Sequence, residues 1–382
     1  MKKRRILIAL ALIFTLLTGC SGGLSLLPEL TGHEPDADIA ETSAPEDAPE
    51  DAQTQPSTEA PTEPSTEATT EPQPERFLIT LTGDCTLGAD PSLYYAGWGF
   101  IKIVGDDLDI PFRNVRQYFE ADDFTMINFE GVLVDGGRPL NKMFAFSGPT
   151  SYIGIMSGSS VEAVTLANNH TLDYGTKGYD STLRTFDASD VRYVEKNSTL
   201  LYTTASGLTI GVYAEDYSCF DMDLLKSSVA QLREAGAELV IYAVHWGAEG
   251  SYYPQPHQED WAREAVDAGV DIVYGTHPHV LQNIEHYGGG VIFYSLGNFS
   301  FGGHMYPRDR DSALVQQEVI RWPDGTVELG ELTVVPVCIS SISERNDYQP
   351  TPYPEDSEGY ARVLEKLQGL WKGKDLKVDY DF

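Results

Sequence analysis

Five short apolar runs in this 382-residue chain each lead directly into an acid, an amide or an imidazole. "FLITLTGD" ends on Asp84, "FTMINFE" on Glu130, and "VEAVTLANNH" on Asn169 and His170. "ELVIYAVHWGAE" carries His245 and Glu249, and "DIVYGTHPH" carries His277 and His279. Runs of this length, rich in Val, Ile, Phe and Tyr and apolar on both faces, read as buried strands. Helical patterns separate them: "PFRNVRQYFEAD", a stretch near Lys177 to Ala188, one from Asp221 to Ala235, and one around Asp260 to Ala268. The alternation predicts an α/β domain. A hairpin-like "LYTTASGLTIGVYAED" interrupts it. "GVIFYSLGNFSF" and "ALVQQEVIRWPDGTVELGELTVVPV", with a Pro323 to Gly325 turn, read as strands joined by tight turns. The sheet system is therefore expected to be mixed, parallel first and antiparallel later. In parallel sheets the carboxyl ends of strands lie along one edge, where ligands bind. Residues nearly two hundred positions apart can meet there.

Each polar strand end has an ordinary structural explanation on its own. Asp84 after Gly83 can cap a turn, Glu130 can be a solvated strand end, "NNH" can form an Asx turn, and His245 can pack in a core. All five together point elsewhere. Pro278 fixes the backbone between His277 and His279, so one short loop presents two imidazoles. Imidazole, amide oxygen and carboxylate together suit a borderline divalent ion such as Mn²⁺, Zn²⁺ or Fe²⁺, and leave open whether one ion or two is held. With no cysteine cluster, the set is unlike a structural zinc site. Cys85 follows Asp84 in a strand and therefore faces the opposite side, toward the core.

The first twenty residues, "MKKRRILIALALIFTLLTGC", have a basic start, an apolar run from Ile6 to Leu17, and small residues before Cys20. This reads as a secretory signal, too short to span a membrane comfortably. Its ending resembles a bacterial lipobox, in which Cys20 would receive the lipid. Residues 21–75 hold 14 acidic and no basic residues among Thr, Pro and Ala. Such a segment buries too little apolar surface to offset its ordering entropy, and it is expected to be a disordered stalk. The domain from 76 to 382 would then stand outside the cytoplasm, lipid-anchored to the outer face of the cell membrane. Of the formal charge of −32, removing the stalk's acids and the four basic residues of the leader leaves −22 for that domain. So acidic a body excludes nucleic acid as a partner, because phosphate contacts need clustered Lys and Arg. Three cysteines remain after Cys20. An odd number leaves at least one thiol free, and a Cys219 to Cys338 bridge stays open.

Asp84, "NFE" at Asn128 to Glu130, "ANNHTLDYG", "HWGAE", "GTHPHVLQ" and "YSLGNFSFG", in this order, resemble the bacterial capsule-synthesis CapA family, which serves poly-γ-glutamate synthesis or export. That family is similar to the calcineurin-like metallophosphoesterases. The resemblance implies a two-sheet sandwich flanked by helices, arranged α/β/β/α, around a metal site. It implies Asp84 and His279 as ligands of a first metal, Glu130 as a bridge, and Asn169, His245 and His277 as ligands of a second. It also implies His170 as the acid that protonates a leaving oxygen, oriented by Asp173. The sequence departs from the phosphoesterase pattern at Thr86, where a histidine is usual, and at Glu130, where aspartate is usual. Ala89 follows Leu87-Gly88 where many relatives carry a basic residue. The implied partners are a membrane capsule synthase or export complex and an anionic polymer. The implied function is capsule synthesis or export through a metal-binding cleft. A secreted metal-dependent phosphoesterase or other envelope hydrolase is the alternative.

Overall fold

A computed structural model describes residues 73–377 except Tyr95. The predicted leader with Cys20, and residues 21–72 of the predicted stalk, lie outside the described residues. Among those described, no helix is long and apolar enough to cross a membrane.

Two sheets face each other. The first has eight strands, in the order β16 (Thr351–Pro352), β15 (Val327–Cys338), β14 (Asp311–Arg321), β1 (Glu75–Thr86), β2 (Phe124–Phe129), β5 (Ala163–Thr165) and β6 (Arg192–Val194), with β13 (Asn298–Phe301) beside β1. From β1 to β6 the pairing is parallel, while β14, β15 and β16 pair antiparallel. The second sheet runs β11 (Ile284–Tyr287), β12 (Gly290–Phe293), β10 (Ile272–Thr276), β9 (Leu239–His245), β8 (Thr209–Asp216) and β7 (Ser198–Thr203). Its four central strands are parallel and both edge strands antiparallel. A two-strand ladder, β3 (Val132–Leu133) with β4 (Ser147–Gly148), sits apart.

Strand alternation builds three cores. Ile79, Leu81 and Met126 of the first sheet meet Ile210, Val212 and Ile241 of the second between the sheets. On the outer side of the first sheet, Ile127 and Phe129 pack with α1 (Phe100–Val104), α2 (Arg116–Phe119), α3 (Ile153–Ser157) and α4 (Gly175–Asp187). Outside the second sheet, Tyr213 and Val240 pack on α5 (Met222–Glu234) and α6 (Pro256–Asp267). The fold is thus the predicted α/β sandwich in four layers. Asp221 caps α5 by accepting from Leu224 N, and Gln255 with Gln258 forms a capping box ahead of Pro256 in α6. The C-terminal helix α7 (Glu358–Leu367) sends Val363 and Leu367 into the core between the sheets.

Four expectations need correction. "PFRNVRQYFEAD" is not one helix. It splits into a 3₁₀ turn at Ile110–Phe112 and the single turn of α2, the chain leaving the helical region at Val115, φ −125°. "GVIFYSLGNFSF" is not two strands across a tight turn within one sheet. β12 belongs to the second sheet and β13 to the first, and the crossing is made at Gly297, whose φ of 71° suits glycine. The polar strand ends do not share a single sheet edge, because the parallel strands are divided between two sheets. Strand β1 runs on to Thr86 through an irregularity at Asp84. Gly83 permits it, since a Cβ there would meet Gly297 O at 2.2 Å. The cysteine question is closed: Cys85, Cys219 and Cys338 are all free, and Cys85 is buried in the core.

Candidate metal centre

The carboxyl ends of the two sets of parallel strands open toward each other, and the polar residues meet between them. Asp84, Glu130, Asn169 and His170 come from the first sheet and its loops. His245, His277 and His279 come from the second. Asp84 and Glu130 are fully buried, and His245, His277 and His170 nearly so, while Asn169 and His279 are half-buried.

Glu130 lies at the middle. Its Oε2 accepts from Thr86 Oγ1 at 3.2 Å, the residue standing where a histidine was expected. Its Oε1 is sealed from solvent and has no hydrogen-bond partner. Three imidazole nitrogens surround that oxygen: His245 Nε2 at 3.7 Å, His279 Nε2 at 3.8 Å and His170 Nε2 at 4.0 Å. These distances are too long for hydrogen bonds. An ion bound by oxygen and nitrogen at about 2.0–2.2 Å from each would fit a gap of this size. His277 Nδ1 is a second buried atom with no partner. A buried polar atom left unpaired costs about 1–3 kcal/mol, so two in one cluster mark a place where a ligand completes the structure.

Neighbours aim the other donors. Asp84 accepts from Asn128 Nδ2 at 2.8 Å and from the His277 backbone N–H at 3.2 Å, and its Oδ2 lies 3.2 Å from His279 Nδ1. That imidazole nitrogen also meets Asn298 Oδ1 at 2.9 Å. His245 Nε2 is 2.8 Å from Asn169 Oδ1, and its Nδ1 is 2.9 Å from Thr276 Oγ1. His277 and His279 are held at φ 96° and 57°, conformations that side-chain-bearing residues rarely adopt. Backbone strain of this kind persists where surrounding structure imposes it, and it gathers at functional sites.

Electrostatics sharpen the picture. Burial, together with the neighbouring imidazoles, pushes His245 well below its ordinary range and His277 down to about 3. Both are neutral near pH 7, the form that ligates metal. Burial also pushes His279 down, but the Glu130 and Asp84 carboxylates outweigh it and raise the imidazole to about 10. Burial drives Glu130 upward, and the His279 charge only partly opposes it. The protonated His279 is thus the main positive charge facing Glu130 within the cluster, and it compensates the carboxylate only in part.

His170 is arranged differently. Its Nδ1 lies 2.6 Å from Asp173 Oδ2, which also accepts from Phe146 N, and Lys142 bonds the other carboxylate oxygen. The ring packs on Phe146 with centroids 4.4 Å apart, and Nε2 is left facing the centre. A cleft of about 370 Å³ opens beside the cluster, with His170, Glu249 and His279 in its wall.

Every predicted ligand and the His170–Asp173 pair thus lie in one neighbourhood. The grouping differs in detail from what the resemblance implied. Asp84, Glu130 and His279 form one set whose donor atoms lie within 4.8 Å of one another, and Glu249, His277 and His279 form another. Glu249, four residues after His245 in the sequence, thus joins the candidate ligands. Lys142 was missed, and nothing in its sequence context signals it, because it reaches Asp173 from a loop 31 residues earlier.

Residues 78–303 match the family model of the bacterial capsule synthesis protein PGA_cap. The chain belongs to this family. It is 30% identical over 336 residues to the capsule biosynthesis protein CapA of Bacillus anthracis, covering 80% of this chain and 77% of that one. Identity to the PGA biosynthesis protein CapA of Bacillus subtilis is also 30%, over 300 residues, covering 72% and 76%. Among solved structures, the NAD nucleotidase NadN of Haemophilus influenzae is similar with a TM-score of 0.39 and 11% identity, covering 80% of this chain and 64% of that one.

Proposed function

We propose that this protein is a lipid-anchored, extracytoplasmic component of the capsule machinery that engages a γ-glutamyl chain at a divalent metal held by Asp84, Glu130, Asn169, His245, His277 and His279. Family membership supports the pathway, and the two CapA relatives are named for capsule and PGA biosynthesis. One observation carries the metal: the buried Glu130 Oε1 has no partner and sits among three imidazole nitrogens. The leader and stalk would hold the domain beside a membrane synthase or exporter. When bound, the cation would supply positive charge for a substrate oxygen and lower the pKa of a bound water.

The protein's own groups divide the remaining work. Asn128 and Asn298 orient Asp84 and His279. Asp173 holds the Nδ1 side of His170, so that Nε2 is the atom able to donate or take a proton at the centre. That dyad favours a second reading, hydrolysis or transfer at an amide or ester linkage with His170 as the acid.

Complementation of a deletion strain tests the proposal. Wild type is expected to restore surface polymer, while Glu130→Ala and His279→Ala are expected to fail despite normal protein levels. Full restoration by both variants would defeat the metal-centred reading. Asp173→Asn separates the two readings: unchanged polymer amount and chain length would remove the acid role.

A further inference from the structure

The cleft beside the metal centre has a wall that the family match does not reach. Matched residues end at 303, whereas Tyr306, Arg308, Leu376 and Lys377 all line the cleft. The chain after α7 returns across the loop that follows Glu249. Leu376 N donates to Gly250 O at 2.9 Å, Tyr252 N donates to Asp375 Oδ1 at 2.9 Å, and Tyr253 Oη donates to Gly373 O at 2.9 Å. Arg308 Nη1 clasps the last described residue, donating to Lys377 O at 2.7 Å. Gly250 N in turn donates to Pro278 O at 2.8 Å, so the strap is tied through one loop to the backbone between His277 and His279.

The charges on this wall are mixed: Glu249, which belongs to the metal cluster, and Asp309 are acidic, while Arg308 and Lys377 are basic. Residues 76–382 carry −22, yet the exposed side chains that the strap and its clasp bring to the cleft include two cations, Arg308 and Lys377. The neighbouring Asp309 is already compensated, accepting from Lys366 Nζ at 2.6 Å and Tyr252 Oη at 2.7 Å. The same wall carries the rings of Phe144, Phe146 and Phe301, of which Phe146 packs on His170 and Phe301 on His279. A ligand matching these groups has a polar group for the centre, a methylene-rich stretch for the rings, and carboxylates for the cations.

We infer that the strap Leu370–Lys377 and Arg308 form a carboxylate-binding subsite of the cleft, which holds the pendant carboxylates of a γ-glutamyl chain while a neighbouring segment of that chain lies at the metal centre. This rests on the proposed function for the identity of the chain. The subsite itself recognises carboxylate by charge. Because an acidic domain repels polyanions over a Debye length, a local pair of cations decides where such a chain can dock.

The experiment measures binding of γ-linked and α-linked glutamate decamers, and of an uncharged γ-linked glutamine decamer, to the purified metal-loaded protein at low salt. The variants are Lys377→Glu, Arg308→Gln and their combination, with metal content and melting midpoint recorded for each. Lys377→Glu alters an exposed side chain, and Arg308→Gln retains a donor for the strap carbonyl, so the fold is kept. The expected result is about tenfold weaker binding of the γ-linked acid by the double variant, with metal content and glutamine-decamer binding unchanged. Binding of the γ-linked acid within twofold of wild type would overturn the subsite and leave the proposed function standing. Equal binding of both acids, equally sensitive to the variants, would uphold the subsite and remove the γ-glutamyl reading. Failure of wild type to bind either acid would overturn both.

Discussion

Glu130 and Asp311 are both carboxylates sealed from water, and the protein treats them in opposite ways. Asp311 opens β14, where Arg362 Nε and Nη2 each donate at 2.6 Å and Lys366 Nζ donates at 2.8 Å, both residues coming from α7. Burial pushes its carboxyl up, but Arg362 and Lys366 outweigh this and hold it below the usual range. Glu130 has one hydroxyl and a ring of distant imidazoles, and burial drives it up. Where an acid serves the fold, the chain supplies the cations itself. Where the acid serves the centre, the chain supplies only the partial compensation of His279 and leaves the rest to a bound cation.

The largest effect should be at the anchor. Asp311→Ala takes from Arg362 the carboxylate it grips with two nitrogens and from Lys366 one of its two, and removing one member of a buried ionic group costs about 3–5 kcal/mol. Urea unfolding should show that loss with metal content unchanged; a loss under 1 kcal/mol would mean that the α7 network is not what separates the two regions. At the centre the effect should instead depend on added metal. A free cation at a hundred times its dissociation constant should raise stability by about 2.7 kcal/mol in wild type, and a chelator should remove the gain. Thermal melts of His279→Ala should show little of it, and an equal gain there would place the ion elsewhere.

Without metal the contrast should reverse sign. Glu130→Gln removes a buried carboxylate that is only partly compensated, so the metal-free variant should be as stable as wild type or about 1 kcal/mol more so. A loss of 2 kcal/mol on denaturant titration would show that Glu130 is a structural acid like Asp311. The smallest effect concerns acid. Because Asp311 is lowered in the folded state, its contribution is fully present above its unfolded value of about pH 4 and is lost as pH falls through the folded value. Asp311→Asn should therefore flatten the acid limb of the stability curve, and an unaltered limb would assign acid sensitivity to other carboxylates.

Much of this was legible along the chain because strands buried on both faces leave an unmistakable apolar pattern, and a polar residue ending such a strand stands out. Asp84, Glu130, Asn169, His245, His277 and His279 were visible for that reason. Hidden were relations that depend on which sheet a strand joins. β9 and β10 look no different in sequence from β2 and β5, yet the two pairs lie in facing sheets, so the ligands converge across a gap and not along one edge. The position of Glu249 beside His277 was hidden because a loop residue has no period, and its place depends on how Gly250 bonds Pro278 O. The anchoring role of α7 was hidden as well. Lys366 sits on the buried face of that helix, where a lysine breaks the apolar stripe and only the distant Asp309 and Asp311 explain it.

The central claim is that Glu130 and the imidazoles around it hold a cation. Elemental analysis of the purified protein, wild type beside Glu130→Ala and His279→Ala, tests it directly. Wild type is expected to carry at least one equivalent of manganese, zinc or iron, with each variant losing most of it. Wild type without bound transition metal after exposure to all three ions, or variants that retain a full equivalent, would contradict the account.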